Sequence, residues 1–252
     1  MGYIVDVMAS VRKVPTSSIS TFGQLCQKFS EMLTSMCKNA ERIDLVFDCY
    51  LEGSVKDNER QRRMSKNPIV LSNITNDTRL PKNMDSFWPS ADNKVKLEVL
   101  LRNWLKKHYT HQNVQGLQVF FSQIVGLNVS VATEFIRDGK LTTHPSLDSS
   151  LEEADVRIIP HCLDSLRSGL KRLLILSNDT DVLVIATYFL ECFKSNGLIE
   201  LWFRAGKGQQ TRYIPLHVLA DNLGQSMCEV LPAVHALPGA MSPVSSALNL
   251  LE

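Results

Sequence analysis

Apolar positions along the chain fall into two patterns, short unbroken runs and longer stretches at helical spacing. Leu173, Leu174, Ile175 and Leu176 form a run of strand length, and the almost wholly apolar segment Val182 to Phe193 follows it closely. Such a strand is expected where helices cover both faces of a parallel sheet. Gly2 to Asp6 and Arg42 to Asp48 read as two more strands. Between them Phe22, Leu25, Cys26, Phe29, Met32, Leu33 and Met36 recur at helical spacing, behind Ser20 or Thr21 as the cap.

Further along, Lys94 to His108 predicts a helix with Val95, Leu97, Leu100, Leu101, Trp104 and Leu105 inward and Lys96, Arg102, Lys106 and Lys107 outward. Residues 67 to 93 carry prolines and many Asn and Asp without periodicity, which predicts a long insertion or lid. Leu117 to Ile124 and Asn128 to Ile136 read as strands flanking the parallel core, with Gly126 at a hairpin or bulge between them, and 139 to 150 as loop. Ser150 is expected to open a helix reaching Ser168, with Ser150 and Glu153 at capping-box spacing. Pro160 inside that helix should kink it at a cost of about 3 kcal/mol. Leu198 to Phe203 predicts a strand, and Arg204 to Arg212 a basic hairpin tip whose G-x-G is too short for a phosphate loop. His217 to Leu223 and Ser226 to Leu237 read as helices, the second broken at Pro232.

This succession is that of an α/β chain with a mostly parallel central sheet and helices on both faces. One domain, residues 1–252, is expected, with a helical and loop insertion after the second strand at about 51–115 and a divergent tail at 240–252. With 252 residues, 44% of them hydrophobic, the chain can bury a full core. Its net charge of +1 supplies no global basic field, so contact with nucleic acid must come from local patches. No apolar stretch approaches the roughly 18 residues of a membrane span and no signal-peptide pattern opens the chain. A nuclear or cytoplasmic protein is expected. The six cysteines form no C-x-x-C pair, which suits buried free thiols in a reducing compartment.

Acids recur where strands end. Asp6 and Asp48 close the first two strands, Asp179 and Asp181 stand where the chain leaves the apolar run, and Glu153 and Asp155 open a helix. Open α/β sheets bind ligands outside the carboxyl ends of their strands. Each acid also has a structural explanation, since Asp caps helices and Glu153 would close a capping box. Brought into one crevice, however, the carboxylates would repel each other and protonate unless a cation sat among them. All-oxygen donors select Mg²⁺ or Mn²⁺. Two such ions, about 3.5–4 Å apart, would activate water and stabilise the leaving oxygen in phosphodiester cleavage. Lys56, Arg60, Arg62 and Arg63 follow Asp48 directly, either as a solvated face or as a clamp on phosphates over the acids. His235, in an apolar stretch, reads as a core histidine and not a ligand. A phosphatase or nucleotide-sugar site would also use the Asp179-x-Asp181 pair. The phosphatase signature, however, wants Thr or Val where Leu183 stands, and Asp6 and Asp48 would go unexplained.

The ordered motifs IVDVMAS, LVFD with its basic segment, EEAD, SNDTDVLV and HALPGAMS resemble the flap-endonuclease branch of the PIN-like nucleases. The pattern is still more similar to a group of multi-copy PIN-like proteins of animal genomes often associated with mobile elements. The resemblance spans nearly the whole chain and implies a PIN-like three-layer fold. It also implies a two-metal, Mg²⁺- or Mn²⁺-dependent nuclease acting as a monomer on nucleic acid, DNA in preference to RNA, with no membrane partner. Asp6, Asp48, Glu153, Asp155, Asp179 and Asp181 match the family's metal-binding acids. Lys56, Arg60, Arg62 and Arg63 lie in the region of its basic gateway. The chain departs from the pattern at Met241, where the distal motif has aspartate, at Pro160, and in showing no helix-hairpin-helix clamp up to Glu252. These departures imply a second expectation, a catalytically inactive PIN-like module that binds nucleic acid or acts as a scaffold.

Overall fold

The structure is a computed structural model that describes residues 1–50, 69–151 and 153–237. Its strands are β1 (Gly2–Asp6), β2 (Arg42–Val46), β3 (Gln118–Phe121), β4 (Ile124–Gly126), β5 (Val129–Val131), β6 (Glu134–Arg137), β7 (Lys140–Thr143), β8 (Arg172–Leu176), β9 (Glu200–Ala205) and β10 (Arg212–Pro215). The helices are α1 (Val7–Val11), α2 (Phe22–Met36), α3 (Ala91–Gln112), α4 (Ala154–Arg167), α5 (Thr180–Tyr188), α6 (Leu190–Ser195), α7 (Leu216–Leu223) and α8 (Gln225–Ala236). All the strands but β4 and β5 form one eight-stranded sheet in the order β10-β9-β8-β1-β2-β3-β6-β7. Neighbours from β9 to β3 run parallel, and the outer strands β10, β6 and β7 pair antiparallel.

The central strands are apolar on both sides because both sides are covered. Tyr3, Val5, Ile43, Leu45, Leu174 and Leu176 pack with α2 and α3, while Ile4, Val46, Leu173 and Ile175 pack with α4, α5 and α7. This alternation is the two-residue period of a strand, and it divides the core into two halves either side of the sheet. α2 starts at a capping box, in which the Thr21 hydroxyl accepts from the Gln24 N–H and the Gln24 side chain accepts from the Thr21 N–H. The N–H groups of Phe22 and Gly23 reach the carbonyls of Thr78 and Asn76, and Leu80 N–H reaches that of Ser20. With Ile74 and Phe87 also buried, the described part of the expected lid is anchored against α2.

Several local expectations fail for identifiable reasons. Residues 117–143 form five short strands: β3 lies inside the parallel core, β4 and β5 form a separate hairpin, and β6 and β7 edge the sheet. The expected loop at 139–150 therefore begins with β7, because Asp138 and Gly139 adopt φ 48° and 71°, the two left-handed residues of a tight hairpin turn. Arg102 does not face outward on α3. It is buried beneath the β4–β5 region, where its guanidinium donates to the Ser122 and Ala132 carbonyls and pairs with Glu134. The Ser150 capping box does not form either, since α4 begins at Ala154 with no side-chain cap bond from Glu153. The segment 182–193 divides into α5 and α6 at Phe189, and Pro232 lies inside α8 without ending it. Five of the six cysteines are buried free thiols and Cys192 is exposed. Among the described residues no helix is long and apolar enough to cross a membrane.

A charged cluster lies within the half of the core under α4. Asp44, fully buried in β2, accepts two hydrogen bonds from Arg42 at 2.7 and 2.8 Å, faces His161 Nδ1 at 2.7 Å and takes the Ser165 hydroxyl at 3.3 Å. Arg42 also pairs with Asp164 and lies over the Phe120 ring. Burial alone would push the Asp44 carboxyl up, but the Arg42 charge and the bonds from His161 and Arg42 outweigh it and hold the group below its usual value. Removing one member of a buried charge pair costs about 3–5 kcal/mol, because the partner is left uncompensated. Asp44→Asn should therefore destabilise the protein by about that amount in urea unfolding. For a depressed carboxylate the stabilisation is present above its unfolded pKa of about 3.9 and lost as pH falls. The gap between wild type and variant should accordingly narrow as pH drops below about 4, and a gap independent of pH contradicts the assignment.

Candidate metal centre

β8, β1 and β2 are neighbours and parallel, in a register that pairs Val5 with Leu176 and Asp6 with Val46. Their carboxyl ends therefore share one edge of the sheet. Asp6 ends β1, Asp48 stands two residues beyond β2, and Asp179 and Asp181 follow β8. Glu153 and Asp155 arrive at the same edge with the start of α4. Asp6, Asp48, Glu153, Asp155 and Asp179 line one cleft of about 210 Å³, together with Met8, Ala9, Arg12 and Lys94. Asp181 stands beside them, one carboxylate oxygen each of Asp155, Asp179 and Asp181 lying within 4.8 Å of the others. That set could hold a metal ion.

Local bonding aims these groups. Asp6 caps α1, its Oδ1 accepting from Ala9 N–H at 2.9 Å, while its Oδ2 accepts from the Ser177 hydroxyl at 3.0 Å. The same Ser177 oxygen accepts the Asp179 N–H at 3.1 Å, so one hydroxyl ties the ends of β1 and β8 together. Asp179 caps α5 by accepting Asp181 N–H at 2.9 Å. The helix-cap explanation is therefore correct for one oxygen of Asp6 and one of Asp179, and it does not use up either side chain. Asp48 accepts the Tyr50 hydroxyl at 3.0 Å and, at 3.4 Å, the N–H of Ala154 at the start of α4. Lys94 lies over the Tyr50 ring, 5.0 Å from its centre.

Buried cationic contacts and a close backbone approach hold the end of β2 from below. Arg157 of α4, 1% exposed, donates to the carbonyls of Phe47 at 2.6 Å and Gln123 at 3.1 Å and to the Cys49 sulfur at 2.8 Å. Gly126 follows Val125, whose carbonyl takes the Tyr50 N–H at 2.6 Å. At its φ of 136° an added Cβ would fall 1.6 Å from the Tyr50 carbonyl oxygen, so only glycine fits. Glu98 of α3 is fully buried with neither oxygen hydrogen-bonded. Burial, then the Asp48 charge, pushes it well above the usual carboxylate range.

Crowding also raises two of the acids themselves. Burial first, then the neighbouring Asp48 and Asp179 against the bonds from Ala9 and Ser177, takes Asp6 to about 6. Burial, followed by Asp179, Asp6, Asp48 and Glu153, takes Asp155 to about 7. Groups that resist ionising together favour a cation among them.

His235 is not a core histidine. Its Nε2 lies 2.7 Å from Asp181 Oδ1, brought there by α8, and no spacing in the linear chain signals the contact. Arg12 and Lys94, which line the cleft, and Ser177 and Tyr50, which bond to its acids, were likewise not distinguishable in the sequence. The expected basic residues Lys56, Arg60, Arg62 and Arg63 and the divergent Met241 lie outside the described residues. Compared with protein-family models, curated proteins and solved structures, the chain matches none.

Because the folded values of Asp6 and Asp155 exceed their usual 3.8, the metal-free protein is favoured with both neutral. That stability is complete below pH ~4 and is lost as pH rises through about 6 and 7. In chelator, Asp155→Asn should raise stability at pH 8 by on the order of 1 kcal/mol, allowing for solvent screening at this part-exposed group. Mn²⁺ affinity of the wild type should instead climb between pH 5 and 8, with protons released on binding. Calorimetry in buffers of different ionisation enthalpy measures both, and a flat pH response contradicts this electrostatic account.

Proposed function

We propose that the chain is a Mg²⁺- or Mn²⁺-dependent phosphodiesterase of PIN-like, flap-endonuclease type that acts on nucleic acid, DNA in preference to RNA. The observation that carries this reading is the convergence of Asp6, Asp48, Glu153, Asp155 and Asp179 on one cleft, with Asp181 beside it. Every donor in the set is a carboxylate oxygen, which suits hard divalent ions and not zinc or copper. Asp155, Asp179 and Asp181 would hold one ion, and Asp6, Asp48 and Glu153 offer oxygens for a second. When bound, two such ions supply an activated water and neutralise charge on the leaving oxygen.

The chain's own groups do the rest. Ser177, by bonding to both Asp6 and the backbone of Asp179, fixes the spacing between the acids of β1 and β8. Tyr50 and Ala154 N–H orient Asp48 so that its carboxylate stays directed at the edge of the sheet. Arg12 and Lys94, the cations of the cleft wall, are suited to hold a phosphate against the acids. His235 occupies one oxygen of Asp181 and holds that side chain in place.

A second reading, a catalytically silent PIN-like module that binds nucleic acid or serves as a scaffold, is favoured by Met241, whose thioether is no ligand for a hard cation. Incubation with flap, single-stranded and duplex substrates in Mn²⁺ separates the two. Cleavage by the wild type, falling by at least about 100-fold in Asp179→Asn and in Asp181→Asn, is expected. Cleavage that persists in both variants removes the nuclease assignment, and its absence in the wild type favours the silent module. Met241→Asp should then strengthen metal binding.

A further inference from the structure

Beyond the acidic cleft lies a second groove of about 490 Å³ that shares Asp6, Ala9, Arg12 and Asp179 with it and continues to Lys13, Asn178, Thr180 and Lys207. The cations come from separate parts of the chain. Arg12 and Lys13 follow α1, and Lys207 sits in the loop joining β9 to β10. Among the described residues none of the three has a carboxylate at ion-pairing distance. Arg12 lies over the Trp88 ring at 5.0 Å. Lys13 is half-buried, and burial, then the nearby charge of Arg204, lowers its pKa. The groove's acids, Asp6 and Asp179, are those of the acidic cleft, and the charge of Asp6 acts on Lys13 against burial and Arg204.

The groove is also held in shape. Asn178, next to Asp179, accepts the Gly206 N–H at 2.8 Å and so ties the loop carrying Lys207 to the end of β8. Gly206 has φ 85°, and a Cβ there would lie 2.1 Å from the Gln210 carbonyl oxygen, so the close turn that presents Lys207 requires glycine. Once a cation neutralises Asp6 and Asp179, the wall left facing solvent is positive.

We propose that this groove binds the sugar-phosphate backbone of a nucleic-acid strand where it leaves the acidic cleft, with Lys13 and Lys207 contacting successive phosphates and Arg12 bridging the two clefts. The proposal rests on the phosphodiesterase reading for its substrate class, while its geometry is independent of whether cleavage occurs. Contacts of this kind position a strand without reading its sequence.

The test measures binding of labelled single-stranded and duplex oligonucleotides by fluorescence anisotropy in Ca²⁺, for the full chain and for Lys13→Gln, Lys207→Gln and the double variant. Mn²⁺ calorimetry on each variant reports separately on the acids. Each lysine lost should weaken binding roughly tenfold at low salt, whatever the sequence, and reduce the salt slope by about 1. Mn²⁺ affinity should stay as in the wild type. Lysine variants that bind as the wild type does, with the same salt slope, overturn the groove and leave the metal site standing. A wild type that binds Mn²⁺ but no oligonucleotide overturns it too. Lysine-dependent oligonucleotide binding without Mn²⁺ binding supports the groove and instead removes the phosphodiesterase reading.

Discussion

Parallel pairing of β8, β1 and β2 is the constraint on which the rest of the molecule depends. Parallel neighbours put their carboxyl ends at the same edge, so acids separated by more than 170 positions meet there. The fold needs helices on both faces to make such pairing possible, and the alternation of Tyr3 and Val5 against Ile4 delivers an apolar surface to each. Stability comes from those two apolar layers, and the edge is left free to carry groups that work against stability.

The cost of that arrangement is visible in the electrostatics. Asp6 and Asp155 are pushed up to about 6 and about 7 by burial and by neighbouring carboxylates, and Glu98 behind them is pushed well above the usual carboxylate range. By contrast Asp44, buried as deeply, is held ionised by Arg42 and His161. One molecule thus contains two acidic environments of opposite sense, one in which the carboxyl is pulled down by bonded cations and one in which carboxyls are pushed up by burial and by one another. Carboxyls raised in this way by their neighbours could hold a metal ion among them.

Arg157, Gly126 and Ser177 show how much of the surrounding structure serves to aim the carboxylates. Arg157 secures the carbonyls below Asp48, Gly126 permits the backbone to cross at Tyr50, and Ser177 couples Asp6 to Asp179. The basic groove beyond them uses the same device in another form, a side-chain amide at Asn178 that fixes a loop. Acids and cations are therefore positioned by uncharged side chains and backbone as well as by the buried Arg157.

The α/β class, the apolar parallel strands, the capped helix α2 and the identity of the six acids were all legible in the linear chain. Each depends on local periodicity or on a residue's place at the end of an apolar run. The turn at Asp138-Gly139 was legible too, in a dipeptide that marks hairpins, but helical and strand periodicity masked it. What the chain could not disclose is who meets whom. Arg102 reads as a solvent-facing cation until the β4–β5 region covers it, His235 reads as core until α8 carries it to Asp181, and Lys207 reads as a hairpin tip until Asn178 ties it beside Asp6. Residue type and spacing determine which element forms and which face it buries. Contacts across sequence separations of 28 to 171 depend on how those elements stack, and only the tertiary structure decides that.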